Sequence, residues 1–162
     1  MLNDEVKVDN PIAVPEGYEV IPIDSPLFNI YQDKIDTTYS LLWESDEEYL
    51  QKAFGFCLRT NGELASVCNT SFVGGGFIAP DILTLKKHRR TGLATIVCTF
   101  YVQKSRELGL TPYWNCDAGN DASNSLAQRL GFIKVCDLPI LWWHENPKTI
   151  ASYLKKYHYS VD

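Results

Sequence analysis

Residues 86–100 read KKHRRTGLATIVCTF, and their interpretation decides the fold. Lys86, Lys87, His88, Arg89 and Arg90 stand in a row in an acidic chain, followed by Thr91-Gly92 and an apolar run. Upstream, IAPDILTL (78–85) has the β-forming texture of a strand, with Pro80 marking a bulge or the strand entry. Downstream, Leu93, Ile96, Val97, Phe100 and Tyr101 share one face at helical spacing, and Gly109 stops that helix after Leu108. A strand that runs through a basic glycine turn into a helix leaves the first helical N–H groups without partners. Those donors and the helix dipole attract an anion, phosphate above all, and Gly92 lets it approach the backbone. The competing reading is a solvated turn whose cations only keep a loop wet.

Working outward, the chain has 162 residues, 45% of them apolar and 22% charged, enough for one domain with a real core. A net charge of −5 suits a cationic partner and disfavours nucleic acid or an anionic membrane. Five cysteines (57, 68, 98, 116 and 136) include no C-x-x-C pair, so no metal site is expected. They read as reduced, mostly buried thiols, Cys116 among them, which fits a cytoplasmic location. The opening MLNDEVKVDN has no apolar h-region, and no apolar run approaches the ~20 residues of a membrane span.

The remaining pattern gives an element order. Residues 1–16 form an extended arm, and GYEVIPID (17–24) a strand whose Pro22 points to an edge or a bulge. From 25 to 53 the texture is helical but broken, with Ser25 as one N-cap and Ser45 with Glu48 as a capping box. Asn61-Gly62 is the strongest hairpin signal, and GGGF (74–77) a second turn. TPYWNCD (111–117) reads as a strand, 121–130 as a short helix stopped by Gly131, and FIKVCDLPILWWH as one or two closing strands. Residues 146–162 form a helical tail. A helix between two strands implies one parallel pair in a largely antiparallel sheet, an α/β chain of the α+β type in a single domain, 1–162.

Arg89-x-x-Gly92-x-Ala94, after a strand and opening a long helix, resembles the acetyl-CoA diphosphate loop of the GNAT superfamily of N-acetyltransferases. NDASNSLAQRLGF supports it, with Asn120, Ser123 and the Gly131-Phe132 pair at the superfamily's spacing. So do Thr84-Leu85, Gly92–Thr95 and the run Pro112–Asp117. The resemblance covers roughly residues 15–145. It implies the GNAT fold: a mixed, mostly antiparallel sheet of about six or seven strands, flanked by helices, with strands four and five splayed. It implies acetyl-CoA as co-substrate, held by backbone amides of Arg90, Thr91, Gly92, Leu93, Ala94 and Thr95. Arg89 and Arg90 would assist, Thr84 and Leu85 would lie beside the pantetheine, Asn120 would hydrogen-bond it or position a water, and Ser123 would join the cofactor site; Asn120 also reads as a helix N-cap. The implied reaction is direct attack of an amine on the thioester, with an amide near Leu83, in the Pro80–Leu83 bulge, stabilising the oxyanion.

Two departures stand out. The tyrosine usual before Gly-Phe is Ala127, and the usual glutamate base is Ile78. Asp81 is the first substitute base, or equally a strand-entry aspartate. Glu44, Trp43, Trp114, Trp142, Trp143 and His144 are candidates for the acceptor pocket, the indoles as a wall for a cation. Three functions remain open: an N-acetyltransferase for a cationic primary amine of a small molecule or peptide, a non-catalytic acyl-CoA-binding domain, and a nucleic-acid module using KKHRR. The charge balance speaks against the last and against a membrane partner, and a homodimer is compatible with the tail.

Overall fold

The computed structural model describes residues 13–141 and 143–159. Its sheet runs in the order β1 (Glu19–Pro22), β2 (Phe56–Thr60), β3 (Glu63–Gly74), β4 (Phe77–Thr84) and β5 (Thr111–Pro112). The first four strands are antiparallel neighbours, and β5 lies parallel to β4. The parallel step follows from α4 (Leu93–Glu107), which carries the chain back before the next strand begins. Asn61 (φ 49°) and Gly62 (φ 77°) both take the left-handed conformation, whose twist matches the strands of the β2–β3 hairpin. Pro22 sits on the edge strand, where its missing N–H costs no ladder bond.

The two faces of the sheet carry separate cores. On one, α1 (Ser25–Lys34), α2 (Tyr39–Leu42) and α3 (Asp46–Lys52) bury Phe28, Tyr31, Tyr39, Trp43 and Tyr49 against Cys57 and Val67. On the other, α4 and α5 (Asp121–Arg129) bury Leu93, Val97, Tyr101, Leu126 and Phe132 against Leu58, Cys68 and Ile78. β3 lies between them and is buried from Ala65 to Thr70. A bulge at Ser71, where the register with β4 slips between Thr70 and Phe72, lies opposite the Ala79–Pro80 step. α6 (Pro147–Lys156) folds over the segment after β5: Tyr153 donates to Asp117, and the Tyr159 hydroxyl accepts the Ala118 N–H at 3.1 Å.

Several expectations need correction. The sheet has five strands among the described residues, rather than six or seven. β5 is two residues long because its successors turn away from β4 after Tyr113. The expected closing strands are not formed among residues 133–141, which are exposed and join no ladder with another described residue. The cap of α1 is Asp24, whose extended backbone lets its Oδ1 accept the Leu27 N–H at 2.9 Å; Ser25 instead donates to Asp46 of α3. Ser45 does cap α3, but Glu48 reaches back to the Glu44 N–H, one residue short of the reciprocal box. Cys57, Cys68 and Cys98 are buried, whereas Cys116 and Cys136 are exposed, since both follow strand positions that never join the sheet. The N-terminal part of the expected arm, residues 1–12, lies outside the described residues, as does Trp142. Among the described residues, no helix is long and apolar enough to cross a membrane.

Candidate functional site

The site begins where β4 and β5 part. The Tyr113 N–H donates to the Ile78 carbonyl at 2.8 Å, and the two strands then diverge. Backbone groups alternate sides along a strand, so the outward face at Ile78 recurs at Pro80, Ile82 and Thr84. Two other bonds agree with this phase. The Leu85 N–H turns the opposite way to Ala65, at 3.0 Å, and the Thr84 carbonyl is free of the ladder and accepts Arg89 Nε at 2.9 Å. Pro80 has no N–H, which leaves the amides of Ile82 and Thr84 facing the gap. The Leu83 amide, expected to serve there, faces β3.

At one mouth of the gap stands the N-terminus of α4. Gly92 is its N-cap at φ 83°, with no side chain to cap the helix. Among the described residues, the N–H groups of Arg90, Thr91, Gly92, Leu93 and Ala94 meet no acceptor. The Thr95 N–H, also expected to be free, closes on the Gly92 carbonyl at 3.0 Å. A Cβ built on Gly92 would meet nothing within 4 Å, so the cradle opens to solvent. A short 3₁₀ turn, Lys86–His88, sets up the loop, and Thr91 Oγ1 donates to the His88 carbonyl at 2.6 Å. Lys87 is paired with Glu63, and the Tyr18 hydroxyl meets His88 Nδ1 at 3.2 Å. Arg89 and Arg90 stay exposed, Arg90 with a left-handed backbone at φ 65°. Five open amides with two exposed guanidinium groups make a donor set suited to a diphosphate.

Asn120 and Ser123 lie at the start of α5. Asn120 Oδ1 accepts the Ser123 N–H at 3.2 Å, and Ser123 Oγ accepts Trp114 Nε1 at 3.1 Å. The capping role of Asn120 is thus realised, and Trp114 is fixed against Phe132, with ring centroids 5.1 Å apart.

At the other mouth lies a cavity of about 300 Å³, lined by Asp36, Thr38, Tyr39, Leu42, Ser71, Pro80, Asp81 and Asn115. Asp81 Oδ2 accepts the Tyr31 hydroxyl at 3.0 Å and the Tyr39 hydroxyl at 3.5 Å. Burial raises the Asp81 carboxyl above the usual carboxylate range, and the nearby Asp36 charge adds to the rise while the Tyr31 bond opposes it. Burial, followed by the Asp81 charge, pushes both phenols far above their ordinary value, so they act as fixed donors. Asp36 is itself held, its Oδ1 accepting the Thr38 N–H at 3.0 Å and Oγ1 at 2.6 Å.

Of the expected acceptor residues, none joins this cavity. Trp43 is buried in the core with Nε1 donating to the Thr70 carbonyl at 3.3 Å, and Glu44 points to solvent beside α3. Trp143 is exposed, and His144 Nδ1 accepts the Asn146 N–H at 2.9 Å, a local turn contact before α6. The indoles scatter because each follows the face of its own element: one in the core, one on α5, one outside. Ala127 and Ile78, at the two positions of departure, are both buried and offer neither an acid nor a base. The sequence reading missed Asp36, Tyr31, Tyr39 and Asn115. Tyr31 and Tyr39 look like core aromatics in a broken helical stretch, and no spacing ties them to Asp81, 50 and 42 residues away.

A model of the GNAT acetyltransferase family matches residues 6–141. The uncharacterized N-acetyltransferase YdfB of Bacillus subtilis (strain 168) is 30% identical over 131 residues, covering 81% of this chain and 50% of that protein. The chain thus spans about half the length of the curated relative it matches. Among solved structures, a GCN5-related N-acetyltransferase-like protein from Streptococcus suis 89/1591 superposes with a TM-score of 0.67 at 22% identity, over 76% of this chain and 48% of that one. An aminoglycoside N-acetyltransferase, AAC(6')-Iy in complex with CoA, gives 0.59 at 15% identity, over 79% and 99%.

Proposed function

Because the chain belongs to the GNAT acetyltransferase family, we propose that it transfers an acetyl group from acetyl-CoA to a cationic amine inside a ternary complex. The observation that carries this reading is the β4–β5 gap, with open helix amides at one mouth and a half-buried carboxylate at the other. Acetyl-CoA supplies the activated acetyl group: the amine nitrogen bonds to its carbonyl carbon, the C–S bond breaks, and CoA leaves as a thiolate that takes a proton from solvent. The amides of Arg90 to Ala94, with Arg89 and Arg90, hold its diphosphate, and the gap-facing groups of Ile82 and Thr84 pair with the pantetheine as an added strand would. Asn120, besides capping α5, borders that arm. An alkyl ammonium titrates near pH ~10, so freeing its lone pair at neutral pH costs about 4 kcal/mol. Asp81 takes that proton, its carboxyl raised toward working pH by burial and oriented by Tyr31 and Tyr39. The Ile82 N–H faces the charge that develops on the acetyl oxygen. Asp36, on the same cavity, favours an acceptor with positive charge.

A second reading, a non-catalytic acyl-CoA-binding domain, is favoured by one observation: the usual acid and base positions hold buried Ala127 and Ile78. A free-thiol assay over a panel of amines, with calorimetry on acetyl-CoA, separates the two. Transfer predicts turnover of at least one cationic amine, and a drop of about 100-fold or more in Asp81→Asn with acetyl-CoA affinity retained. Tight acetyl-CoA binding with no amine turned over decides for the second reading.

A further inference from the structure

The cavity beside Asp81 is rich in acceptors and poor in donors. Its three hydroxyl side chains have each spent their proton on the protein. Thr38 Oγ1 donates to Asp36 at 2.6 Å, the Tyr39 hydroxyl to Asp81 at 3.5 Å, and Ser71 Oγ to the Ala79 carbonyl at 3.1 Å. Asn115 is the one lining side chain with N–H groups outside this set. Both bonds to Asp36 end on Oδ1, which leaves Oδ2 for a ligand. Among the described side chains, no lysine or arginine pairs with Asp36 or Asp81. An ammonium group brings three donors and no acceptor, the complement of such a lining. Leu42 and Pro80 add apolar wall, which suits hydrocarbon.

Charge then decides how many ammonium groups fit. Asp36 is near enough for its charge to act on Asp81. A lone ammonium that gives its proton to Asp81 becomes neutral, and Asp36 is left unbalanced beside the oxyanion forming on the acetyl group. That like charge opposes the reaction unless a second cation stays on Asp36. We propose that the preferred acceptor is an alkyl diamine, one amine reacting at Asp81 while the other, still an ammonium, is held by Asp36. This rests on the acetyl-transfer reading of the same site and makes Asp36 its specificity-determining residue. The reacting ammonium loses two protons, one to Asp81 before attack and one through solvent to the leaving thiolate. Its acetylated end is neutral, and the other end keeps its charge. An amide carbonyl in place of the second ammonium would set an acceptor against a carboxylate, and a hydroxyl would bring no charge.

Thiol release tests this with α,ω-diaminoalkanes of increasing length, each beside the alkylamine and the amino alcohol of matched length. At one spacer length, kcat/KM for the diamine should exceed that of both matched compounds at least about tenfold, with a monoacetylated product by mass spectrometry. Asp36→Asn should bring that ratio to within about twofold of one, through a higher KM for the diamine. Asp36→Glu, which carries the charge one methylene further out, should keep a preference and move it to a shorter spacer. Calorimetry of the same diamine on the CoA-loaded chain, where no transfer occurs, should show at least about tenfold weaker binding in Asp36→Asn. Diamines used no better than monoamines at every length, or a preference that survives Asp36→Asn, would overturn the proposal and leave acetyl transfer standing. If no amine is turned over, the transfer reading falls by itself. Calorimetry still decides the diamine in that case, since equal affinity in wild type and Asp36→Asn would overturn it.

Discussion

Asp81 carries two opposed demands at the scale of one residue. Its carboxylate must be charged to take a proton, yet burial penalises that charge and raises its proton affinity in the folded state. The linkage sign follows. Between the ordinary carboxylate value and the raised one, the native chain binds more protons than the unfolded chain, so stability falls as pH rises through that window. Above that window the cost is fully present. Asp81→Asn should therefore leave the Tm at pH 7 unchanged or higher while turnover collapses, and thermal melts beside a thiol-release assay check both at once. Tyr31 donates to Asp81 at 3.0 Å and thereby lowers its proton affinity. Removing that donor in Tyr31→Phe should move the acidic limb of the pH–rate profile to higher pH, with a smaller move for Tyr39→Phe, whose bond is 3.5 Å. An unmoved limb in both variants would show that another group sets it.

At the scale of the element, α4 begins without a side-chain cap, so its first donors remain for a ligand. Gly92 makes that possible because it accepts φ 83° without strain. Gly92→Val should cost about 1–3 kcal/mol in backbone strain and weaken acetyl-CoA binding at least tenfold. Calorimetry and a thermal melt read the two effects, and unchanged affinity would remove the loop from the binding site. This element was legible in the sequence, because strand, glycine turn and amphipathic helix are local features whose order survives folding. The Asn61-Gly62 hairpin was legible for the same reason. β5 was not: TPYWNCD has strand composition throughout, and only the divergence from β4 limits its pairing to Thr111–Pro112.

At the scale of the molecule, the helical face and the sheet meet at Gly55, between α3 and β2. A Cβ there would lie 2.6 Å from Ile23 Cδ1, 2.7 Å from Asn69 Oδ1 and 2.9 Å from the Tyr49 hydroxyl. Asn69 pairs in register with Asp81, so strain at Gly55 reaches the strand that carries the carboxylate. Gly55→Ala should destabilise by about 1–3 kcal/mol, or about 2–4 °C in Tm per kcal/mol. Its turnover should fall further than the folded fraction explains. A melt and an activity assay on the same sample decide it, and a Tm equal to that of wild type would mean that the joint yields easily.

What the sequence alone determined is what short segments encode: the strand-turn-helix at 78–108, the hairpin glycines, the cap of α5 at Asn120, and Asp81 as a carboxylate near the gap. What only the tertiary structure decided is which distant groups share a volume. Tyr31, Tyr39 and Asp36 reach Asp81 because α1 and α2 dock over β4, and Trp43 is lost to the core by the same docking. The amide facing the gap is that of Ile82 rather than Leu83, because the β3–β4 register fixes which side each N–H takes. Local spacing carries no record of long-range contacts; those follow from burying two apolar faces on one sheet.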